Sequence, residues 1–97
     1  MTIRWSERAR RHLEALYEYI AADSPNNAAE MVDRITARLS QIESFPQSGR
    51  VVWEIESPVY RELIEPPYRI IYRVGHNTIF LVGIVHSSQQ FRRSLIR

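Results

Sequence analysis

Residues 60–86, YRELIEPPYRIIYRVGHNTIFLVGIVH, hold most of the β-type sequence of this chain and set its architecture. β-branched and aromatic residues are concentrated in three runs, which we predict to be strands. Pro66-Pro67 predicts a turn or a sheet edge between the first two runs, and Gly75-His76-Asn77 predicts a hairpin turn between the second and the third. Short turns join antiparallel neighbours, so the pattern predicts a small antiparallel sheet. The predicted strands are 59–64, 68–74 and 78–86.

Two amphipathic helices are predicted ahead of this sheet. Ser6 is a suitable N-cap, and apolar residues recur at helical spacing after it, so we expect the first helix at about 7–22. Ser24 and Pro25 suit the cap and the first position of a second helix at about 25–44. Because the link between the helices is short, they should form an antiparallel hairpin.

The predicted element order is β-α-α-β-β-β, beginning with a short β-like segment at 2–5. Residues 45–50, FPQSGR, carry the composition of a loop, and 51–55 are expected to form a short extended piece. The sequence therefore predicts an α+β fold in which the helical hairpin packs on one face of a small antiparallel sheet. The other face of the sheet is expected to be free for binding.

Composition narrows the class of protein. The 97 residues are expected to form one domain, 1–97. The absence of cysteine excludes a disulfide scaffold and a thiolate metal site. No apolar run reaches the roughly 20 residues of a membrane helix, and the N-terminus lacks the apolar region of a signal peptide. We expect a cytoplasmic protein without a membrane partner. All 13 basic residues are arginine. The simpler interpretation is nucleotide bias in the coding genome, and the functional one is bidentate recognition of phosphate or carboxylate groups.

The charges are unevenly distributed. The last acidic residue is Glu65, and five arginines follow it without a carboxylate in the sequence to balance them. This excess predicts a surface that meets an anionic or acidic partner. A net charge of +2 is too small to establish nucleic-acid binding, because an acidic protein segment would explain it equally well. The five residues are Arg69, Arg73, Arg92, Arg93 and Arg97.

Few residues suit catalysis. The histidines, at 12, 76 and 86, are far apart in sequence and lack carboxylates at metal-ligand spacing, so we expect neither a metal nor a cofactor. What remains is a set of arginines with one histidine, which could cleave RNA if the arginines held the phosphate and His86 moved a proton. The simpler interpretation is that these are solvated strand residues. The candidate set is Arg61, Arg69, Arg73 and His86.

The register of the hairpin decides whether Arg69 and His86 meet. A two-residue loop pairs Arg69 with Ile84 and places His86 on the same face as Arg69. A three-residue loop pairs Arg69 with Gly83 and turns His86 to the opposite face, because strands alternate faces at every residue. The sequence leaves both registers open.

Aromatic residues have two interpretations. Tyr68 and Tyr72 alternate with arginines and could stack on bases, but inward-facing core positions are the simpler interpretation. Trp5 and Trp53 are likewise interpreted as core or edge packing rather than as ligand platforms.

Several short motifs, taken in order, resemble the RelE/ParE superfamily of type II toxins. The resemblance covers nearly the whole chain and depends on spacing rather than on any single motif. It is carried by Trp5-Ser6 before a helix, Leu16-x-x-Tyr19-Ile20, Asp23-Ser24-Pro25, Phe45-Pro46-x-x-Gly49-Arg50, Arg61-Glu62-Leu63, Pro67-Tyr68-Arg69-Ile70-Ile71-Tyr72-Arg73-Val74 and Ile84-Val85-His86.

The resemblance implies a toxin that a cognate antitoxin, ParD-like or RelB-like, neutralises in a hetero-oligomer. It implies one of two mechanisms. ParE-like members inhibit DNA gyrase and are not nucleases, whereas RelE-like members are endoribonucleases that cut mRNA on the ribosome. A degenerate toxin that keeps only antitoxin binding is a third interpretation. The helical hairpin, the Phe-Pro-x-x-Gly-Arg loop and the Pro-Tyr-Arg-Ile strand favour the ParE-like branch.

The resemblance assigns different residues to each mechanism. If the chain is RelE-like, Arg69 and His86 take catalytic positions and Arg61 is a second phosphate contact. The chain has no lysine and no tyrosine after Tyr72, although some RelE-like sites use these residues. If it is ParE-like, partner binding falls to the arginines of the second half. The residues Ser87-Ser88-Gln89-Gln90 lie between the final histidine and the basic tail. ParE-like chains, by contrast, often have a basic residue soon after that histidine. The predicted partner-binding residues are Arg69, Arg73, Arg92 and Arg93.

Overall fold

The computed structural model describes residues 1–92. Two helices lie against a five-stranded sheet whose strand order is β1-β5-β4-β3-β2. This confirms the predicted α+β fold with a helical hairpin on a small sheet. The elements are β1 Thr2–Trp5, α1 Glu7–Ala21, α2 Pro25–Ser44, β2 Arg50–Val51, β3 Tyr60–Glu65, β4 Tyr68–Val74 and β5 Thr78–His86.

Local signals place the helix boundaries close to the predicted ones. The Ser6 hydroxyl accepts a hydrogen bond from the backbone N–H of Ala9 at 2.9 Å, and Ser24 does the same for Asn27 at 3.2 Å. Each cap satisfies a donor that the first helical turn leaves unpaired. Within residues 1–92, neither helix is long and apolar enough to cross a membrane.

The sheet is mixed, and the prediction of a purely antiparallel sheet is wrong in this respect. Strands β2 to β5 are antiparallel neighbours, but β1 runs parallel to β5, with Thr2 opposite Thr78 and Trp5 opposite Leu81. Tight turns force antiparallel pairing between strands that are adjacent in sequence. The segment between β1 and β5 contains both helices, so no turn fixes the direction of that pair.

Both faces of the sheet are covered. The helices bury one face, which we call the helix face, around Ile35, Ile42, Ile70 and Tyr72. The opposite face, which we call the outer face, holds a second apolar cluster. The prediction that this face is free is wrong, because the segment 52–59 and Phe91 pack across it. The second cluster consists of Val52, Ile55, Ile71, Val82 and Val85, with Tyr60, Phe80 and Phe91 at its edge.

A β-bulge changes which face the end of β5 presents. The hairpin starts in the two-residue register, with Val74 opposite Ile79, but the pairing shifts by one residue between Tyr72 and Ile71. Val82 is the extra residue on β5, since Tyr72 is opposite Leu81 and Ile71 is opposite Gly83. One inserted residue turns every later side chain to the other face. Neither predicted pairing of Arg69 therefore occurs.

Candidate functional site

Arg69 lies in the middle of a buried ionic network on the outer face. Its guanidinium donates from Nη1 and Nη2 to the two carboxylate oxygens of Glu54 at 2.8 and 2.7 Å, and from Nε to Glu62 at 2.5 Å. The Arg69 side chain is 9% exposed and the Glu62 side chain is fully buried. All three nitrogens of Arg69 are thus bonded to carboxylates of the same chain, an arrangement that is strong because it is charge-assisted and partly bidentate.

The network is closed and electrically balanced. Glu62 also accepts a hydrogen bond from Nε of Arg50 at 2.9 Å, so two arginines face two glutamates. The hydrogen bonds from Arg69 hold the pKa of the Glu54 carboxyl below its ordinary value. The bond to Glu54, followed by the bond to Glu62, raises the pKa of Arg69, although burial opposes this. Arg69 therefore has carboxylate partners, contrary to the inference from the sequence.

Aromatic rings cover the remaining faces of two arginines. The Phe91 ring lies 5.3 Å from Cζ of Arg69, and the Phe80 ring lies 4.3 Å from Cζ of Arg73. Such contacts are favourable cation–π interactions. They hold Arg69 in its site and leave Arg73 half-buried at the edge of the outer face.

Arg61 points away from this network, toward the loop that follows α2. Its Nη1 donates to the backbone carbonyl of Gly49 at 2.9 Å, with a longer contact to the carbonyl of Gln47 at 3.5 Å. Its Nε is buried and has no hydrogen-bond partner within residues 1–92. Arg61 is thus placed to hold the loop.

His86 lies on the helix face, so the sheet separates it from Arg69. Strand pairing puts His86 opposite Tyr68, and the two rings meet edge to face at 5.5 Å. Its Nδ1 accepts a hydrogen bond from the backbone N–H of Ser88 at 3.1 Å. The structure does not bring the three predicted catalytic residues together, and their catalytic assignment stays a prediction.

A groove of about 620 Å³ opens between α1 and the ends of β4 and β5. His86 is one of its walls. Buried apolar side chains form its floor, and Tyr19, which is 80% exposed, stands at its rim. The lining residues are His12, Ala15, Leu16, Tyr19, Tyr68, Ile84, His86, Ser88 and Gln89.

His12 fixes the groove to the sheet. Its Nδ1 accepts a hydrogen bond from the backbone N–H of Ile84 at 3.1 Å, at a point of β5 beyond the last residue paired with β1. Burial lowers the pKa of His12, and the nearby charges of Arg8 and Arg11 lower it further. The neutral imidazole therefore carries its proton on Nε2. His86 accepts at Nδ1 in the same way, so its neutral form also has the proton on Nε2.

Arg92 is exposed next to Phe91. Arg93 lies outside the described residues. Across residues 1–92, no three side chains of the metal-ligating types are close enough together to hold a metal ion.

Sequence reasoning missed His12, Glu54 and Glu62. One signal for the groove was present in the sequence, because four of its lining residues recur at helical spacing on one face of α1. These residues are His12, Ala15, Leu16 and Tyr19. No comparable signal existed for Glu54, which belongs to an irregular segment, because its pairing with Arg69 depends on how that segment folds back.

The chain is similar in sequence to two proteins that are named as toxins. The chain is 36% identical over 93 residues to a putative toxin, Y4kP, of Sinorhizobium fredii, with 96% of this chain and 95% of the relative covered. It is 31% identical over 86 residues to toxin RelE2 of Caulobacter vibrioides, with 88% and 93% covered.

Solved structures show the same fold. A chain of the chromosomal ParDE toxin–antitoxin system from P. aeruginosa superposes with a TM-score of 0.72 at 25% identity, covering 89% of this chain and 95% of that chain. A chain of the RelBE2 toxin–antitoxin complex from Mycobacterium tuberculosis gives a TM-score of 0.57 at 24% identity, covering 88% and 95%. The family model for the ParE toxin of the type II toxin–antitoxin system parDE matches residues 3–91. The chain therefore belongs to the ParE toxin family and is a type II toxin of the RelE/ParE superfamily.

Proposed function

We propose that this toxin arrests growth by binding and inhibiting DNA gyrase and that it does not cleave RNA. One observation carries the proposal, namely the separation of the residues that cleavage would need. Every nitrogen of the Arg69 guanidinium is bonded to Glu54 or Glu62, so a phosphate would have to displace a carboxylate. His86 lies on the other face of the sheet.

The tautomers of the histidines also support a binding role. Both His12 and His86 accept a backbone N–H at Nδ1, so their neutral forms are donors at Nε2. A general base for RNA cleavage needs an unprotonated nitrogen within reach of the attacking hydroxyl. Neither neutral imidazole offers one while these hydrogen bonds persist.

We propose further that a cognate antitoxin, ParD-like or RelB-like, neutralises the toxin in a hetero-oligomer. The matching chains from P. aeruginosa and M. tuberculosis belong to ParDE and RelBE2 systems respectively, which supports a partner of this kind. Partner binding by Arg73 and Arg92 fits their accessible positions, whereas Arg69 would act through the shape of the outer face rather than by direct contact.

A ribosome-dependent mRNA endoribonuclease is the second candidate. The 31% identity to toxin RelE2 favours it. In that case the open groove with His12 and His86 is a better candidate site than Arg69, and cleavage would require one of the two imidazoles to give up its hydrogen bond from the backbone at Nδ1.

The test is a pair of assays on the same purified protein. Supercoiling of relaxed plasmid by gyrase is followed beside a translation extract in which a reporter mRNA is probed for cuts. We expect loss of supercoiling with intact mRNA. Arg92→Ala should weaken inhibition, and His86→Ala should leave it unchanged, provided that circular dichroism shows both variants folded.

Two results would reject the proposal. Cleaved mRNA with normal supercoiling would make the chain a nuclease, and dependence of that cleavage on His86 would place the site in the groove. Normal supercoiling, intact mRNA and no growth arrest on expression would make it a degenerate toxin that retains only antitoxin binding.

A further inference from the structure

We infer that a row of side chains across the outer face, in which two arginines alternate with two aromatic rings, is the surface through which this toxin binds an acidic patch of its target. Such a contact rests on the proposed function, because it requires a protein target. We call this set the arginine row. It crosses four neighbouring strands, from β1 through β5 and β4 to β3, and consists of Arg4, Phe80, Arg73 and Tyr60.

Strand pairing places these four side chains next to one another. Arg4 is opposite Phe80 in the parallel pair of β1 and β5. On its other side Phe80 is opposite Arg73, which in turn is opposite Tyr60. Residues directly opposite each other in neighbouring strands point to the same face of the sheet. Because Phe80 and Tyr60 pack against the second apolar cluster, the whole row lies on the outer face.

The arginine row lies at the margin of the covered part of the outer face. The segment 52–59 and Phe91 pack over its middle, around Ile71. Arg4 is exposed, and the other three members of the row are half-buried. The side chains that cover the cluster therefore leave the row accessible to a partner.

The two arginines of the row lack carboxylate partners, unlike the arginines beside them on the sheet. Arg50 and Arg69 pair with glutamates, and Arg61 donates to backbone carbonyls. Within residues 1–92, Arg4 and Arg73 form no ion pair. Neighbouring strands are about 4.8 Å apart, so the backbones that carry these two cations are about 10 Å apart. A partner surface with carboxylates at a similar spacing would complement them.

Stacking orients Arg73 in advance of binding. Its Cζ lies 4.3 Å from the centroid of the Phe80 ring, which is a cation–π contact. A guanidinium group is planar and donates from its edge, so a ring against its face leaves edge N–H groups for a carboxylate of the partner. Because stacking already restricts the Arg73 side chain, less conformational entropy is lost when that carboxylate binds.

An exposed tryptophan extends this surface beyond the Tyr60 end of the row. The backbone N–H of Val52 donates to the carbonyl of Tyr60 at 3.2 Å, and Trp53 follows Val52 directly. Trp53 is 77% exposed. Tryptophan and arginine are the residue types that most often contribute strongly to binding at protein interfaces. Arg92 reaches the same face, because Phe91 packs on it.

A protein surface fits the arginine row better than a nucleic acid does. Binding of bases would need the open face of an aromatic ring, but the Phe80 ring is stacked on Arg73 and packed against the second apolar cluster. Phosphate backbones are bound by several cations at once, whereas the row supplies two. A protein patch that combines carboxylates with apolar side chains can meet both the arginines and Trp53.

The test reverses the two charges of the row. Arg4→Glu, Arg73→Glu and the double variant are compared with the unaltered chain in gyrase supercoiling and in growth arrest on expression in bacteria. We expect each single variant to raise the concentration for half-maximal inhibition about tenfold or more, and the double variant to abolish growth arrest. Trp53→Ala should also weaken inhibition about tenfold.

Matched controls separate the row from net charge and from folding. Arg34→Glu changes the net charge equally but lies in the helix layer, and it should leave inhibition unchanged. Phe45→Ala removes another exposed aromatic ring, at the end of α2, and should also have no effect. Arg73→Lys keeps the charge but loses the planar, stacked guanidinium, so it should show a partial loss. Circular dichroism checks folding, and Arg4→Glu, at an exposed position, maintains the test if Arg73→Glu unfolds.

A binding measurement examines nucleic acid as the alternative partner. Fluorescence anisotropy of labelled duplex DNA and of labelled oligouridylate is followed as the toxin is added. We expect no binding at concentrations that inhibit supercoiling. Tight binding that Arg4→Glu abolishes would overturn the inference, because the row would then contact phosphate.

The row and the proposed function would fail in different ways. Inhibition of gyrase that survives in Arg4→Glu/Arg73→Glu would leave the function standing and reject the row. Growth arrest that the double variant abolishes, with normal supercoiling and intact mRNA in the presence of the unaltered chain, would support the row and reject gyrase as the target. Cleaved mRNA, or no growth arrest by the unaltered chain, would reject both.

Discussion

Replacing Arg69 by methionine should greatly lower the free energy of unfolding of this toxin, whatever its target. The substitution keeps the length and the apolar part of the side chain but removes the three donors that bind Glu54 and Glu62. The main cost falls on Glu62, whose buried charge loses its hydrogen bond from Arg69. Its side chain is fully buried and cannot move into water. Breaking a buried ion pair on one side costs about 3–5 kcal/mol.

The remaining contact of Glu62 with Arg50 places the expected loss near the lower end of that range, at about 3 kcal/mol. For a chain of this length each kcal/mol lowers Tm by roughly 4–8 °C, so the shift is about 12–24 °C. Thermal and urea unfolding followed by circular dichroism measure it. The matched control is Arg73→Met, on the same strand and face but half-buried and stacked on Phe80, which should cost about 1 kcal/mol or less.

A double variant tests the cause. In Arg69→Met/Glu62→Gln the buried charge disappears together with its partner, so part of the loss, roughly 1–2 kcal/mol, should be recovered. Equal losses in Arg69→Met and Arg73→Met would refute the reasoning, and so would strict additivity in the double variant. The result also decides how a loss of toxicity in Arg69→Ala is interpreted, since an unfolded variant says nothing about catalysis.

Three further predictions concern the loop after α2 and the titrating groups. The Tyr72 hydroxyl accepts from the N–H of Gly49 at 3.0 Å and donates to the carbonyl of Pro46 at 2.8 Å, and Tyr72→Phe removes both hydrogen bonds. Urea unfolding should show a loss of about 1–3 kcal/mol in the free energy of unfolding. The control, Tyr17→Phe at an exposed position, should show little change. Because the pKa of His12 is lowered in the fold, the unfolded chain takes up the proton first, so stability should fall as the pH drops below about 6.5. His12→Asn, which keeps an acceptor for Ile84 but does not titrate, should remove that part of the pH dependence; an unchanged profile contradicts the assignment. The pKa of Glu54 is lowered, so its contribution is present above pH 4.5 and is lost as the pH falls through the folded value, and Glu54→Gln should flatten the acid limb of Tm against pH.

The helices could be predicted from the sequence because their signals are local. The first was expected at about 7–22 and is Glu7–Ala21, and the second was expected at about 25–44 and is Pro25–Ser44. Serine caps and helical spacing act over a few residues, so they are visible without knowledge of the tertiary structure. The three long strands were found for the same reason.

The loop motif that contributed to the family resemblance has a physical explanation that only the structure gives. Pro46 and Gly49 both bind the hydroxyl of Tyr72, one through its carbonyl and the other through its N–H. A Cβ at position 49 would lie 2.4 Å from that hydroxyl and 2.8 Å from the carbonyl oxygen of Glu62. Glycine is needed here because the loop approaches the sheet too closely for any side chain.

Two aspects of the site could not be predicted because they depend on distant parts of the chain. The charge count along the sequence left Arg69 unbalanced, while in the fold Glu54 and Glu62 neutralise it. Trp53 was interpreted as packing, but it is 77% exposed, because the irregular segment that carries Glu54 turns its tryptophan outward. The interpretation of Tyr68 and Tyr72 as core residues is confirmed.

The bulge at Val82 explains why this chain has two separate surfaces instead of one site. Phe80 and Val82 belong to the outer face, and regular alternation would place Ile84 and His86 there as well, next to Arg69. The extra residue turns Ile84 and His86 to the helix face, where Nδ1 of His12 accepts a hydrogen bond from the backbone N–H of Ile84. A histidine and an arginine that would have shared a face are thereby separated by the thickness of the sheet. Variants of the Arg69 network should therefore change stability without altering the groove, and variants at His86 should leave the network intact, with little coupling between the two.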